Sequence, residues 1–199
     1  GDAVLAIGTG CFNQFARVNA NQVVRKPGNL SFAEAATLPV AFLTAYTCLH
    51  HLAKMTAGDR VLIHAAAGGV GLAAVQLALQ AGAEVFATAS SGKWETLCRL
   101  GVKHIYNSRD LDFAQQILAD TDGAGVDIVL NSLTGAGFIE RSLSVLSAEG
   151  CFVEIGKRDV WSKAQVAALR PAVEYHLVDL FEFFEQQPAL MNFLFASVI

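Results

Sequence analysis

The stretch that most constrains the fold runs from Asp59 to Gly71 and reads D-R-V-L-I-H-A-A-A-G-G-V-G. A short apolar run leads into small residues, then into three glycines within four positions, and a helix-like segment follows over residues 71–81. Glycines let a bound pyrophosphate approach the backbone, and the N-terminus of the following helix attracts the anion. The alternative is a tight turn that binds nothing. We expect a dinucleotide site on four positions: Gly68, Gly69, Val70 and Gly71.

Composition excludes several other kinds of site. Hydrophobic residues make up 53% of the chain and charged residues 16%, which predicts an ample core and no disorder. The net charge of −4 and the lack of a Lys/Arg cluster argue against nucleic acid. The uncharged run 61–83 is long enough for a membrane span, but the glycine motif explains it better, so we expect no membrane partner.

Cysteine usage and the first residues point to a compartment. The four cysteines are scattered without Cys-x-x-Cys spacing, which predicts no metal site and a reducing environment. The start, G-D-A-V-L-A-I-G, has no basic region or cleavage signature of a signal peptide. We therefore expect a zinc-independent, cytoplasmic protein.

Strand and helix patterns alternate from Arg60 onward. The strand candidates are 61–63, 85–88, 104–106, 128–130, 151–155 and 175–178. The helix candidates are 71–81, 93–100, 112–120, 138–146, 162–169 and a last apolar stretch over 180–198. This alternation of apolar strands with helices predicts an α/β fold, a doubly wound parallel sheet of the Rossmann type. Ligands of such sheets bind at the carboxyl ends of the strands.

The first residues have a different pattern. β-like pieces over residues 3–7, 15–18 and 22–25 predict part of a β-rich domain within residues 1–30. The capping box S-F-A-E predicts a helix start at Ser31. After an interruption at Pro39, a second, buried helix is expected over residues 41–53. We therefore divide the chain into residues 1–30 and a Rossmann domain with its leading helices, residues 31–199.

The end of the second strand of the sheet indicates which dinucleotide binds. NAD-binding units carry an acidic residue about 20 positions past the glycines, where it holds the ribose 2′-hydroxyl. This strand instead ends T-A-S-S-G-K, with no carboxylate until Glu95. Hydroxyls and cations suit a 2′-phosphate, so we expect NADPH rather than NADH, although solvated loop cations would look the same. The residues expected at the phosphate are Ser90, Ser91, Lys93, Ser108 and Arg109.

Longer stretches carry a family likeness. The run T-L-P-V-A-F-L-T-A-Y (37–46) and the glycine motif resemble the zinc-free medium-chain dehydrogenase/reductase superfamily, whose quinone-oxidoreductase-like members lack the metal. Five further pieces resemble the enoyl reductase domains of modular polyketide synthases: K-W-E-T-L (93–97), N-S-R-D-L-D-F (107–113), D-I-V-L-N-S-L-T-G (127–135), F-V-E-I-G-K-R-D (152–159) and Y-H-L-V-D-L (175–180). The likeness covers nearly the whole chain.

The resemblance implies a reaction and partners. The reaction would be NADPH-dependent reduction of an α,β-unsaturated thioester on an acyl carrier protein, among neighbouring polyketide synthase domains. Hydride would go to the β-carbon, and Lys157 would stabilise the enolate or donate the proton while Asp179 holds it charged and oriented. A purely structural Lys–Asp pair is the alternative. The resemblance also implies cofactor contacts from Thr44, Asn131, Ser132 and Gly156, and a GroES-like character for residues 1–30.

The chain departs from the family pattern at both ends. Such reductases begin with a β-rich substrate domain, which often carries a tyrosine proposed as proton donor, and they end with strands that return to it. None of the three tyrosines here matches that position. Three other functions stay open: cyclopropane closure from a γ-chloro enoyl thioester by the same hydride delivery, a stand-alone quinone or enone reductase, and a non-catalytic NADPH-binding scaffold module.

Overall fold

The computed structural model describes residues 1–199, which form two compact units: Cys48–Val178, and Gly1–Thr47 together with Asp179–Ile199. The strands are β1 Val4–Ala6, β2 Val23–Arg25, β3 Arg60–Ile63, β4 Glu84–Ala89, β5 His104–Asn107, β6 Val126–Asn131, β7 Leu146–Glu154 and β8 Glu174–Leu177. The α-helices are α1 Phe32–Ala36, α2 Pro39–Tyr46, α3 Gly69–Gln80, α4 Trp94–Arg99, α5 Phe113–Asp120, α6 Phe138–Ser144, α7 Lys163–Leu169, α8 Leu180–Gln186 and α9 Pro188–Ser197. Short 3-10 helices cover Ala20–Gln22 and Ser91–Lys93, and a π-helix covers Thr47–Leu52.

The larger unit is a parallel sheet with the strand order β5-β4-β3-β6-β7-β8. This is the order of a Rossmann-type doubly wound sheet, and it confirms the predicted α/β fold. The connections change direction between β3 and β6, which places the ligand crevice at the carboxyl ends of these two strands. All six predicted strands of the sheet form. Strand β7 begins earlier than expected, at Leu146, with a register shift against β6.

Apolar packing holds this sheet to its helices. Leu62, Phe86 and Phe152 from three strands share one buried cluster with Phe113 and Ile117 of α5. All five side chains are fully buried. Burial of each stabilises the fold by about 1.5–3 kcal/mol, so the near-continuous apolar strands of the sequence are explained by a sheet covered on its faces.

The smaller unit contains a two-stranded antiparallel ribbon, β1 with β2. Asn192 of α9 donates its side-chain amide to the backbone of Asn21 and Val23, which fastens that helix to the ribbon. The core of the unit is formed by Leu5, Ile7, Ala35, Leu43, Leu180, Phe184, Met191, Leu194 and Phe195. The predicted strand over residues 15–18 is wrong: residues 9–15 form turns and bends, residues 16–18 form no strand, and Phe15 is 84% exposed. No neighbouring strand supplies a hydrogen-bonding ladder for it.

Prolines explain where the helices of this unit begin. The predicted capping box at Ser31 is confirmed, because Ser31 and Glu34 exchange hydrogen bonds between side chain and backbone. Pro39 does not interrupt a helix but occupies the first turn of α2, where a missing N–H costs nothing. Pro188 likewise starts α9 and divides the stretch predicted as one element into α8 and α9.

The predicted boundary after residue 30 differs from the division into compact units. Residues 31–47 and 179–199 group with the ribbon because their apolar side chains share its core. The assignment of residues 1–30 to a substrate-binding domain stays a prediction. No helix combines the length and the apolar character needed to span a lipid bilayer.

Candidate active site

The glycine motif forms the start of α3. Gly68 is the N-cap residue, and no side chain caps the helix. The N–H groups of a helix's first turn have no acceptor within the helix, so those of Gly69, Val70 and Gly71 are available to an anion. A strand, β3, precedes them, as the sequence predicts. This end of α3 is therefore suited to a phosphate group.

The spacing of the glycines has a steric cause. A Cβ atom on Gly71 would lie 2.5 Å from the carbonyl oxygen of Ala65 and 2.6 Å from Cα of Ala66. The same atom on Gly69 would meet nothing within 4 Å. Gly71 is therefore required for the close packing of α3 on the loop before it, while Gly69 leaves its side open.

A cavity of about 210 Å³ lies beside this helix start. It brings together five of the predicted cofactor residues: Gly68, Ser90, Lys93, Ser108 and Arg109. Lys93 and Arg109 are exposed and neither forms an ion pair in the structure. Ser91, which begins the 3-10 helix after β4, does not line the cavity. Hydroxyls and two unpaired cations around one cavity are suited to a phosphate monoester.

The other predicted cofactor residues lie apart from this cavity. Ser132 and Gly156 follow the carboxyl ends of β6 and β7, and Ser132 donates to the backbone oxygen of His64 over 3.5 Å. Thr44 belongs to α2, in the other compact unit. Asn131 is fully buried at the end of β6, with its side chain bonded to protein atoms. A larger cavity of about 380 Å³ lies at the amino ends of β4 and β5 and contains none of the predicted site residues.

Lys157 and Asp179 both follow strands of the sheet. Lys157 is exposed in the loop after β7, and its ammonium donates to the backbone oxygen of Val178 over 3.1 Å. Asp179 comes two residues after β8 and caps α8, since its carboxylate accepts from the N–H of Phe181 over 2.9 Å. Asp179 therefore stabilises the start of α8. A test of its chemical role needs a variant that preserves this cap.

Glu154 is a buried residue of this edge that the sequence analysis did not single out. Its carboxylate is fully buried and accepts from the side-chain amide of Asn131 and from the N–H of Gly156. Burial raises the pKa of Glu154, and these hydrogen bonds act in the opposite direction. The signal in the sequence was a single acid within the apolar run C-F-V-E-I.

His64 is the second buried group that the sequence analysis did not single out. It follows β3 directly, and its ring bonds Thr88 over 2.9 Å and Ser142 over 2.7 Å. Ser142 donates its own hydrogen to the backbone oxygen of Phe138, so the His64 Nε2–H donates to Ser142 and Nδ1 accepts from Thr88. A neutral ring satisfies this network completely. Thr88 Oγ1 also accepts from the N–H of Ala65, so the network supports the glycine loop.

The buried His64 makes the fold sensitive to acid. Burial lowers the pKa of His64 to about 3, below the ordinary 6.5 that the unfolded chain has. The unfolded state therefore binds a proton first, and this stability is present above pH 6.5 and lost as the pH falls. From pH 7 to pH 5 the free energy of unfolding should drop by about 2 kcal/mol through His64 alone.

A His64→Gln variant gives the comparison, measured by denaturant unfolding at both pH values. The wild type should lose about 2 kcal/mol more than the variant between pH 7 and pH 5. Equal losses in the two proteins would show that His64 is not held neutral in the fold.

Comparison with known families agrees with this geometry. The profile of the zinc-binding dehydrogenase family matches residues 69–192, more than half of the chain. The chain belongs to the zinc-binding dehydrogenases. The matched region of this dehydrogenase begins at Gly69, the first helical residue after the glycine loop.

Individual similar proteins point to a smaller group within this family. The phenolphthiocerol synthesis polyketide synthase type I Pks15/1 of Mycobacterium bovis is 48% identical over 200 residues, covering 100% of this chain and 9% of the relative. The crystal structure of CurK enoyl reductase is 59% identical with a TM-score of 0.86, over 89% of this chain and 53% of that chain. The CurF ER cyclopropanase from the curacin A biosynthetic pathway is 44% identical with a TM-score of 0.86, over the same shares of 89% and 53%.

The chain covers nearly the whole length of one solved structure. The nucleotide-binding subdomain of the enoylreductase domain of PpsC from Mycobacterium tuberculosis is 44% identical with a TM-score of 0.73, over 81% of this chain and 91% of that chain. The chain is therefore a member of the medium-chain dehydrogenase/reductase superfamily, and it is similar to the nucleotide-binding part of polyketide synthase enoyl reductase domains. It spans about half the length of the CurK structure and about a tenth of the polyketide synthase.

The family description raises the question of zinc. Cys151, Glu174 and His176 offer one ligand atom each, all within 4.8 Å of one another. Cys151 pairs with Glu174 at the first residue of β8, so the group lies towards the amino end of that strand, away from the glycine loop. Burial raises the pKa of the Cys151 thiol to about 12, which disfavours the thiolate that binds metals. These residues do not fit a catalytic zinc of this dehydrogenase.

Proposed function

We propose that the protein reduces an α,β-unsaturated thioester, carried on an acyl carrier protein, with NADPH. The proposal is carried by one observation: the helix start at the glycine loop adjoins a cavity lined by Ser90, Lys93, Ser108 and Arg109. Its solved relatives named above are an enoyl reductase, an enoyl reductase subdomain and a related cyclopropanase. Neighbouring polyketide synthase domains are the partners of this reaction. Four free cysteines support a reducing, cytoplasmic location.

The chain's own residues account for cofactor binding. The N–H groups at the start of α3 would hold the pyrophosphate, and the Gly71 contact keeps that helix end close to β3. Lys93 and Arg109 would neutralise the 2′-phosphate, and Ser90 and Ser108 would donate to it. NADPH supplies the hydride for the β-carbon when bound. The further positions proposed to contact it are Thr44, Gly68, Ser91, Ser132 and Gly156.

Lys157 is proposed as the group that meets the charge developing on the substrate. Hydride addition at the β-carbon leaves an enolate, whose negative oxygen a nearby ammonium stabilises. The same ammonium would return a proton to the α-carbon, which completes the saturated thioester. Asp179, just past β8, would orient the Lys157 ammonium through its negative charge.

The cofactor preference can be tested at Lys93. The Lys93→Ala variant should lower kcat/KM for NADPH about 10- to 100-fold and leave that for NADH nearly unchanged, because only NADPH carries the 2′-phosphate. Lys103→Ala, an exposed lysine at the amino end of β5, is the matched control. Steady-state kinetics of the full-length protein with both cofactors decide the point. An unchanged NADPH/NADH ratio would show that the cavity does not hold the 2′-phosphate.

A second function is favoured by one relative. The CurF cyclopropanase is 44% identical to this chain over a matched region that makes up 53% of its own length. Hydride delivery to a γ-chloro enoyl thioester would give the same enolate, which then displaces chloride and closes a three-membered ring. The higher identity of the CurK enoyl reductase, 59%, supports our choice of simple reduction as the first proposal. The two remaining alternatives would behave differently. A stand-alone quinone or enone reductase would accept a free substrate, and a non-catalytic scaffold module would bind NADPH without oxidising it.

A further inference from the structure

Glu154 and Asn131 join the ends of two neighbouring strands. Both side chains are fully buried, and they lie where β7 and β6 end, at the proposed reaction edge. Asn131 Nδ2 donates to Glu154 Oε2 over 2.5 Å. The backbone repeats the connection, because the N–H of Ile155 donates to the Asn131 oxygen over 2.9 Å. The two loops that leave these strands are therefore tied together at their first residues.

The second oxygen of the carboxylate shapes the loop that carries Lys157. Glu154 Oε1 accepts from the N–H of Gly156 over 2.6 Å. A Cβ atom on Gly156 would lie 2.7 Å from that oxygen and 2.8 Å from Cγ2 of Thr134. The chain therefore turns tightly around the carboxylate, and Lys157 is the next residue. This tight turn requires a glycine at position 156, whether or not Gly156 also contacts a cofactor.

Asn131 fixes the other loop in the same way. Its Nδ2 also donates to the backbone oxygen of Leu133, and its Oδ1 accepts from the Leu133 N–H, both over 3.2 Å. Each polar atom of this amide thus bonds a protein atom. Asn131 therefore holds the start of the loop 132–135, and its contact with the cofactor stays a prediction.

Burying the Glu154 carboxylate costs free energy unless its oxygens accept hydrogen bonds. Removing a carboxylate from water is unfavourable, and only converging hydrogen bonds offset the cost. An apolar side chain of similar size would fill the same space without that cost. It could not, however, accept hydrogen bonds from Asn131 and Gly156 at once.

We propose that Glu154 is a positioning residue, which through Asn131 and Gly156 holds the loops after β6 and β7 in the arrangement that presents Lys157. The effect on turnover rests on the proposed function, whereas the effect on the loops does not. As a positioning residue, Glu154 touches neither substrate nor cofactor. It acts by fixing the backbone on either side of the residues that do.

The test uses three variants of the full-length protein. Glu154→Met removes every acceptor at similar volume, and Glu154→Gln keeps one acceptor oxygen. Val153→Ala is the matched control, because Val153 is fully buried on the same strand and bonds neither Asn131 nor Gly156 by its side chain. Two readouts are taken: kcat and KM with NADPH and a crotonyl thioester, and amide hydrogen exchange of segments 131–135 and 154–158.

For Glu154→Met we expect kcat to fall about 10- to 100-fold with KM for NADPH nearly unchanged, since a misplaced reacting group lowers turnover more than binding. Glu154→Gln should lie between it and the wild type. Exchange in both segments should increase more in Glu154→Met than in Val153→Ala, which loses buried methyl groups but keeps every hydrogen bond of the carboxylate. Wild-type exchange in Glu154→Met, or equal losses of kcat in the control, would overturn the proposal. An inactive wild type would contradict the proposed function alone, and the exchange readout would still decide the role of Glu154.

Discussion

Replacing Gly71 by alanine should remove both folding stability and cofactor binding. The added Cβ would lie 2.5 Å from the Ala65 oxygen and 2.6 Å from Ala66 Cα, and both are backbone atoms of the loop after β3. These atoms cannot rotate away as a side chain would, so α3 has to move off the sheet. We expect a loss of roughly 3 kcal/mol or more in the free energy of unfolding. Denaturant unfolding and NADPH titration measure the two effects.

Gly69→Ala is the matched control for this substitution. It makes the same chemical change two residues earlier, where a Cβ meets nothing within 4 Å. Alanine is also the better helix former, so the free energy of unfolding should stay within about 1 kcal/mol of the wild type. If the two variants unfold at the same denaturant concentration, the close packing of α3 on the loop is not what Gly71 provides.

Replacing Lys157 by alanine should give the largest loss of activity. The proposed ammonium both stabilises the enolate and supplies a proton, and such groups contribute about 10²- to 10⁴-fold to turnover. We expect kcat to fall by a factor in that range. KM for NADPH should change little, because Lys157 does not line the cavity that Lys93 lines. The side chain is exposed, so stability should be almost unchanged.

Two further variants separate chemistry from structure. Arg158→Ala removes the adjacent exposed cation and should leave kcat intact. Asp179→Asn keeps an oxygen to cap α8 but removes the charge, so it should lower kcat without lowering the unfolding temperature. Full turnover in both Lys157→Ala and Asp179→Asn would assign these residues a structural role only.

The fold was predictable because its signals are local. The apolar runs of β3 to β8 and the glycine motif are visible in short windows, and each predicted strand of the sheet forms. The predicted strand at residues 15–18 failed because alternation alone does not supply a pairing partner. The helix starts at Pro39 and Pro188 were not predicted, because proline can begin a helix as well as end one.

The candidate site was predictable only in part. Residues that directly follow a strand could be named from order alone, and the cavity does unite Ser90 with Ser108 and Arg109. Glu154 and His64 could not be recognised, because their partners are distant in sequence: Asn131 is 23 residues from Glu154, and Ser142 is 78 residues from His64. Which buried polar groups meet depends on strand order, which composition and spacing do not encode.

NADPH consumption by the full-length protein, with the products resolved by mass spectrometry, tests directly whether the protein reduces an enoyl thioester. The substrates are a carrier-bound crotonyl thioester and its γ-chloro analogue. We expect NADPH to be oxidised with both substrates and each product to gain two hydrogens, with chloride retained in the second. Loss of chloride with cyclopropane formation would instead assign the ring-closing reaction. NADPH that binds but is never oxidised would contradict the claim that this protein is a reductase.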